Sequence, residues 1–397
     1  MASRRTVLTG ALLGTAAALL PGIAQAAPAP RLPELRLPAP TGPHPVGLRT
    51  VHLTDPSRTD PWAGGPREVM LTVLYPARTV RGCPRVPQLT PAAAQVFAEL
   101  APLVHPGLPA AGAVDWGAVL THGHLDAPPL PGPWPVLLYS PGGGDSRTLG
   151  TLLAEDLAGH GRIVVLVDHP GDASQVELPS GIRVTALRGE PDPATFRTMI
   201  DTRVADLRLV LDHLPGLLSG LLPGHRPDLL SRHFPDAPAV GIYGHSAGGT
   251  AAVHTALRDR RVRAVANLEG YLDLDGLDPQ GSLHDFDRPL LLLRTDGFDG
   301  AARIERSWAG IPGTRALLTG AGHWALTDYA ALVPQLQSAG LVTPATRAAL
   351  VGTADPAVTV AALRNRVGAF FAHRLPRPAR LPQGPPGGLA GHRAGAQ

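Results

Sequence analysis

The chain contains no lysine; all 35 of its basic residues are arginine. That absence excludes Schiff-base catalysis, a P-loop lysine and a Ser–Lys dyad. Cysteine is almost missing as well. Cys83 stands alone, so no intramolecular disulfide can form, whatever the compartment. Its neighbours Arg81, Gly82 and Pro84 offer nothing that would activate a thiolate. Aromatic residues make up 4% of the chain, too few for the stacking platforms that bind single-stranded nucleic acid. The formal charge is only +3 and the arginines are scattered, so no phosphate-tracking surface and no nucleic-acid partner is expected. The apolar run from Val7 to Leu20 is too short to cross a bilayer comfortably.

That run does fit an export signal. Arg4 and Arg5 supply its charged start in a pattern similar to a twin-arginine motif, and Ala24-Gln25-Ala26 supplies a cleavage site. The expectation is a signal over residues 1–26, removed on secretion, which leaves no stable membrane span. Residues 27–45 read as a flexible Pro-rich lead-in, and 376–397 as a disordered tail rich in Pro, Gly and Arg. Between them, the 44% hydrophobic content supports one large domain over 46–375, read as a monomer.

Strand and helix patterns alternate through that domain, which predicts an α/β fold with a mostly parallel sheet and helices on both faces. Val46–Leu53 and Val69–Tyr75 read as an opening antiparallel pair. Further strands are expected at Pro135–Tyr139, Ile163–Val167, Val240–Tyr243, Val262–Leu268, Leu290–Leu293 and Thr314–Leu318. A helix from Arg147 should bury Leu149, Leu152, Leu153 and Leu157. A longer one, Ala194–Leu214, is capped by Asp192, and Val358–Phe371 closes the domain. Insertions near Ala92–Val104 and Leu217–Phe234 could overhang a site.

Gly244-His245-Ser246-Ala247-Gly248 matches G-x-S-x-G, with an apolar strand before it and a small-residue helix after it. That context lifts a serine hydroxyl clear of a sheet on a sharp turn, and it marks Ser246 as a candidate nucleophile. Such a serine needs a base. His323, in Gly320-Ala321-Gly322-His323-Trp324, follows the last strand and lies C-terminal to Ser246, the chain order of the α/β-hydrolase fold. It also needs donors for a developing oxyanion. The backbone N–H groups of Gly143, in Ser140-Pro141-Gly142-Gly143-Gly144, and of Ala247 are the candidates. The acid is open between two residues, Glu269 after one strand and Asp296 after the next.

These residues resemble the platelet-activating-factor acetylhydrolase-like and lipase branch of the α/β hydrolases. The similarity runs over most of Val46 to Leu375. It includes Leu74-Tyr75-Pro76-Ala77, Gly142-Gly143-Gly144-Asp145-Ser146-Arg147, Arg203-Val204-Ala205-Asp206, the Ser246 motif, Asn267-Leu268-Glu269-Gly270 and Gly322-His323. The resemblance implies Glu269 as the acid, although the family usually carries Asp there. It also implies hydrolysis of ester bonds in lipids or small esters through an acyl-enzyme, with short acyl chains preferred and with no cofactor or metal.

Two other classes compete. Thr121-His122-Gly123-His124-Leu125-Asp126 resembles the opening of a zinc-binding metallo-β-lactamase motif, but Ala127 stands where that motif has another histidine. A non-catalytic binding protein could use the same fold. Within the serine-hydrolase reading, amide cleavage is open too.

Overall fold

The computed structural model describes residues 32–185, 191–221, 239–274 and 283–376. The expected export signal, all but the first residue of the C-terminal tail, and most of the Leu217–Phe234 insertion lie outside the described residues. The packed unit runs from Pro33 onward.

Ten strands form the main sheet: β1 (Val46–Thr59), β2 (Pro66–Pro76), β3 (Arg85–Pro87), β4 (Leu120–Leu125), β5 (Val136–Ser140), β6 (Ile163–Val167), and, past a small β7 (Gln175–Leu178) and β8 (Gly181–Val184) hairpin, β9 (Val240–His245), β10 (Val262–Leu268), β11 (Leu290–Thr295) and β12 (Thr314–Leu318). Their spatial order is β12-β11-β10-β9-β5-β6-β2-β1-β4-β3. The run from β6 to β12 is parallel, while β2 pairs antiparallel with β1 and β6. This is an α/β-hydrolase fold with a mostly parallel sheet.

Side chains alternate across the sheet with period two. In β5, Val136 and Leu138 join one core, while Leu137 and Tyr139 join the other. The first core is closed by α3 (Pro193–Leu221) and α4 (Ala247–Arg258). The second is closed by α1 (Pro91–Val104), by α2 (Thr151–Gly159), by the helix at Tyr329–Ser338 and by the last helix at Pro356–Arg374. Each fully buried Val, Leu or Ile there contributes about 1.5–3 kcal/mol.

Two local readings need correction. Helix α3 does not stop at Leu214. It passes through Pro215 to Leu221, because Leu218 and Leu221 continue its buried stripe. The lead-in is also not loose throughout. Leu35 and Leu37 are buried, Thr41 donates to Asp156, and Arg364 of the last helix donates to the carbonyls of Pro38 and Ala39. Residues 35–41 therefore form a strap laid across the second core.

Strand β5 has its chain-order successors on both sides, β6 on one and β9 on the other. Open parallel sheets place their crevice at such a switch point, outside the carboxyl ends of the strands. The loops after β5, β9, β10 and β12 all emerge there.

Candidate active site

Strand β9 ends in the turn that carries Ser246, and α4 starts at the next residue. Ser246 has φ 51° and ψ −123°, a conformation that costs an L-residue energy and persists only when its surroundings impose it. Those surroundings are backbone bonds. Ser246 N–H donates to Leu268 O at 2.8 Å, and Ser246 O accepts from Gly249 N–H at 2.8 Å. The motif glycines permit the turn. A Cβ on Gly244 would lie 2.2 Å from Gly248 O, and one on Gly248 would lie 2.0 Å from Ser140 O.

His323 sits in the loop after β12. Its Nδ1 lies 2.7 Å from Glu269 Oε2, and Phe298 stacks on the ring at 4.1 Å. Glu269 follows β10 and, like Ser246, has positive φ, 64°. Asn267 holds that turn by exchanging bonds with Gly270, donating to its carbonyl at 3.0 Å and accepting from its N–H at 2.7 Å. Thr295 donates its N–H and hydroxyl to the Glu269 carboxylate. The extra methylene of Glu over Asp is thus absorbed by a left-handed turn held by these four hydrogen bonds.

Burial disfavours the charged form of both partners. It holds the imidazole in its neutral form, pushed down to about 3, with nearby His105 adding to the effect. It pushes the Glu269 carboxyl up to about 7 against the bonds from Thr295. Asp296 does not reach the imidazole. It is exposed, and its carboxylate accepts from Ala321 N–H at 3.3 Å, so it ties the turn before His323 instead. The structure brings Glu269, not Asp296, to His323. Among the described residues no hydrogen bond joins the Ser246 hydroxyl to the His323 ring. Such bonds often tighten only when substrate binds.

Gly143 and Ala247 come together. A Cβ on Gly143 would lie 3.9 Å from that of Ala247, which is the first residue of α4 and so has an N–H with no acceptor inside the helix. The two candidate oxyanion donors therefore flank one spot beside Ser246.

Sequence reasoning missed what lies beneath this loop. Ser140 Oγ is 2.9 Å from His169 Nε2, and His169 Nδ1 is 3.0 Å from Asp206 Oδ2; all three side chains are fully buried. Burial, helped by Arg203, pushes the His169 ring down and keeps it neutral. Burial alone would raise Asp206, but Arg67 and the His169 hydrogen bond together outweigh it and hold that carboxyl well below its usual range. With Nδ1–H donated to Asp206, the Ser140 hydroxyl must donate to Nε2. Arg203, also buried, donates to Ser140 Oγ, Pro141 O, Gly142 O and Asp172. The only signal for this network was the Arg203-Val204-Ala205-Asp206 motif, which places Arg203 and Asp206 on one helix and says nothing of their partners.

A second layer lies behind His323. The His245 ring donates to the His323 carbonyl at 3.1 Å, and His105 pairs with Asp145 at 3.1 Å. The residues of the zinc-like motif do not converge. His122 bonds Leu37 O, His124 bonds Cys83 O, and Asp126 pairs with Arg49. Among the described residues no group of three His, Cys, Asp or Glu could hold a metal ion.

No protein-family model matches the chain. A protein of Arthroderma benhamiae described as a probable 1-alkyl-2-acetylglycerophosphocholine esterase is 30% identical over 141 residues, 35% of this chain; the match spans 32% of that relative's length. The solved structure of a ferulic acid esterase from Streptomyces cinnamoneus is 32% identical, covering 86% of this chain and 93% of that one, with a TM-score of 0.66. On the 32% identity to that esterase over 93% of its length, and on the fold described above, the chain belongs with it among the esterases of the α/β-hydrolase superfamily.

Proposed function

We propose that the chain is an exported serine hydrolase of small carboxylic esters, with Ser246 as nucleophile, His323 as general base and Glu269 as the acid that orients it. The observation that carries this reading is the 2.7 Å contact between His323 Nδ1 and Glu269, beside a strained serine at the head of a helix. His323 Nε2 takes the Ser246 proton as Oγ attacks the ester carbonyl. The negative oxygen that forms is met by the N–H groups of Gly143 and Ala247. His323 then returns the proton to the departing alcohol, and water, activated by the same imidazole, releases the acid from Ser246. No step calls for a metal or cofactor.

Two features favour esters of small or aromatic acids over long-chain triglycerides. One named relative is a ferulic acid esterase, and the other is described as a probable 1-alkyl-2-acetylglycerophosphocholine esterase. Phe298, Tyr271 and Phe196 are all half-buried rings on the loops and helix around the elbow. The signal-like N-terminus supports secretion with cleavage before Ala27, and mass spectrometry of the secreted chain checks that terminus. No helix among the described residues is long and apolar enough to cross a membrane.

The test is hydrolysis of acetate, butyrate, methyl ferulate, an emulsified long-chain triglyceride and an anilide, with fluorophosphonate labelling and Ser246→Ala as control. Ester turnover with labelling at Ser246 is expected. An unlabelled chain, or turnover surviving in Ser246→Ala, would refute the reading. Faster anilide cleavage would move it to the amidases.

A further inference from the structure

The carbonyls of Pro141 and Gly142 each accept from Arg203, and Gly142 O also accepts from Asp145 N–H. Gly144 N–H donates to Asp172, and Gly144 O accepts from Ser174 N–H. Asp172 in turn pairs with Arg203 Nε. One buried guanidinium and its carboxylate partner thus engage the loop on both sides of Gly143. The N–H of Gly143 itself has no protein acceptor among the described residues.

We propose that Arg203 is a positioning residue of the hydrolytic site. It draws the carbonyls of Pro141 and Gly142 back toward α3, so that the Gly143 N–H is presented to the oxyanion. The inference rests on the proposed serine-esterase function and deepens it. A planar fork of five donors suits the task, because it meets two carbonyls, a hydroxyl and a carboxylate at fixed angles, which an ammonium cannot do. The Ser140–His169–Asp206 chain completes the device. By accepting the hydrogen bond of the Ser140 hydroxyl, His169 turns its proton away and leaves the Ser140 oxygen free to accept from Arg203 at 3.2 Å. Arg67 anchors the far end on Asp206 at 2.7 Å.

The experiment uses Arg203→Lys and Arg203→Ala in the full chain, with folded protein verified by circular dichroism and active serines titrated to completion with a fluorophosphonate. Per titrated site, kcat on a butyrate ester is expected to fall on the order of 10²-fold, the size of losing one oxyanion donor. KM should move less than about threefold, and the Ki of a boronic acid, which mimics the tetrahedral state, should rise in step with the loss in kcat/KM. Added guanidinium should restore part of kcat to Arg203→Ala. A purely structural role would lower Tm while leaving kcat per site and the boronate Ki at wild-type values, and that result would overturn the proposal. If neither variant folds, Asp172→Asn, which weakens one tie to Arg203 and one to Gly144, carries the same readouts. Unchanged kcat and Ki in that variant overturn the proposal equally. A wild-type chain that takes no fluorophosphonate overturns the parent reading instead.

Discussion

Two Ser–His–acid constellations lie within a few residues of each other in this molecule, and the one with the better hydrogen bonds is the one without a route to substrate. Ser140, His169 and Asp206 are joined side chain to side chain at 2.9 and 3.0 Å. Ser246, His323 and Glu269 show only the second of these links, at 2.7 Å. Yet the first set is sealed in the core, its serine oxygen already accepts from Arg203, and its acid is neutralised by Arg67. The second set has a half-exposed serine, unspent N–H donors beside it and backbone strain at both Ser246 and Glu269. A triad is thus recognised by access and by what surrounds the oxyanion, more than by its bond lengths.

The sharpest way to break this comparison is to delete each serine. Ser246→Ala should lower kcat on the order of 10⁴-fold or more, because the triad acts as a unit. Ser140→Ala should lower it by about tenfold at most, through loosening of the loop alone. Rates measured on a butyrate ester, with labelling sites mapped by mass spectrometry, decide between them. Equal losses, or label on Ser140, would reverse the two roles.

The acids come next. Glu269→Gln should cost on the order of 10²–10⁴ in kcat by unmooring the imidazole tautomer. Asp296→Asn should stay within about threefold of wild type, as exposed substitutions do. A large loss in Asp296→Asn with a small one in Glu269→Gln would move the acid to the next strand.

The pair of His323 and Glu269 titrates together, so its pH profile belongs to both. Turnover needs the neutral imidazole and the ionised carboxylate. With Glu269 raised to about 7, kcat/KM should rise with pH through that value and level off above it. A profile flat down to about pH 5 would contradict this assignment.

Stability offers the smallest contrast. The Glu269 carboxyl is raised from 4.5 to about 7, so the folded state holds its proton more tightly than the unfolded chain does. Its contribution is therefore largest below 4.5 and is lost as pH rises through 7. Glu269→Gln should melt at or above wild type in alkaline buffer, and the gap should close on acidification. Ser140→Ala should instead lower stability by about 1–3 kcal/mol at neutral pH, because it strips buried His169 and Arg203 of a partner. Thermal melts of both variants across pH test the contrast, and it fails if the two respond alike.

Where the site was legible in the sequence, its signal was local. The elbow is five consecutive residues between a strand and a helix, so Ser246 could be read directly. His323 followed from its glycines and from chain order. Glu269 and Asp296 could not be separated by the residues alone, since each follows a parallel strand. What separates them is the reach of Thr295, 26 residues further along the chain, together with the local turn that Asn267 closes on Gly270. Strands β5, β6 and β11 were readable because they are short runs of mostly apolar, buried residues, whereas β3, β4 and the β7–β8 hairpin, short and largely polar or half-exposed, gave no such signal. The Ser140–His169–Asp206 set was invisible because its members come from three elements far apart in the chain. Nothing in the spacing of His105, at the end of the helix Pro91–Val104, announced that it would meet Asp145 in the oxyanion loop.

The strap over residues 35–41 has a consequence for how the molecule is made. Its carbonyls are bonded by Arg364, 325 and 326 positions further along the chain. Synthesis proceeds from the N-terminus, so the strap leaves the ribosome long before its partner exists. Leu35 and Leu37 must wait in water until the last helix arrives. Chain completion, rather than the emergence of the sheet, is therefore the event that can close the second core. A nascent chain arrested short of Arg364 should leave the strap open to protease, while one arrested well past Leu375 should protect it.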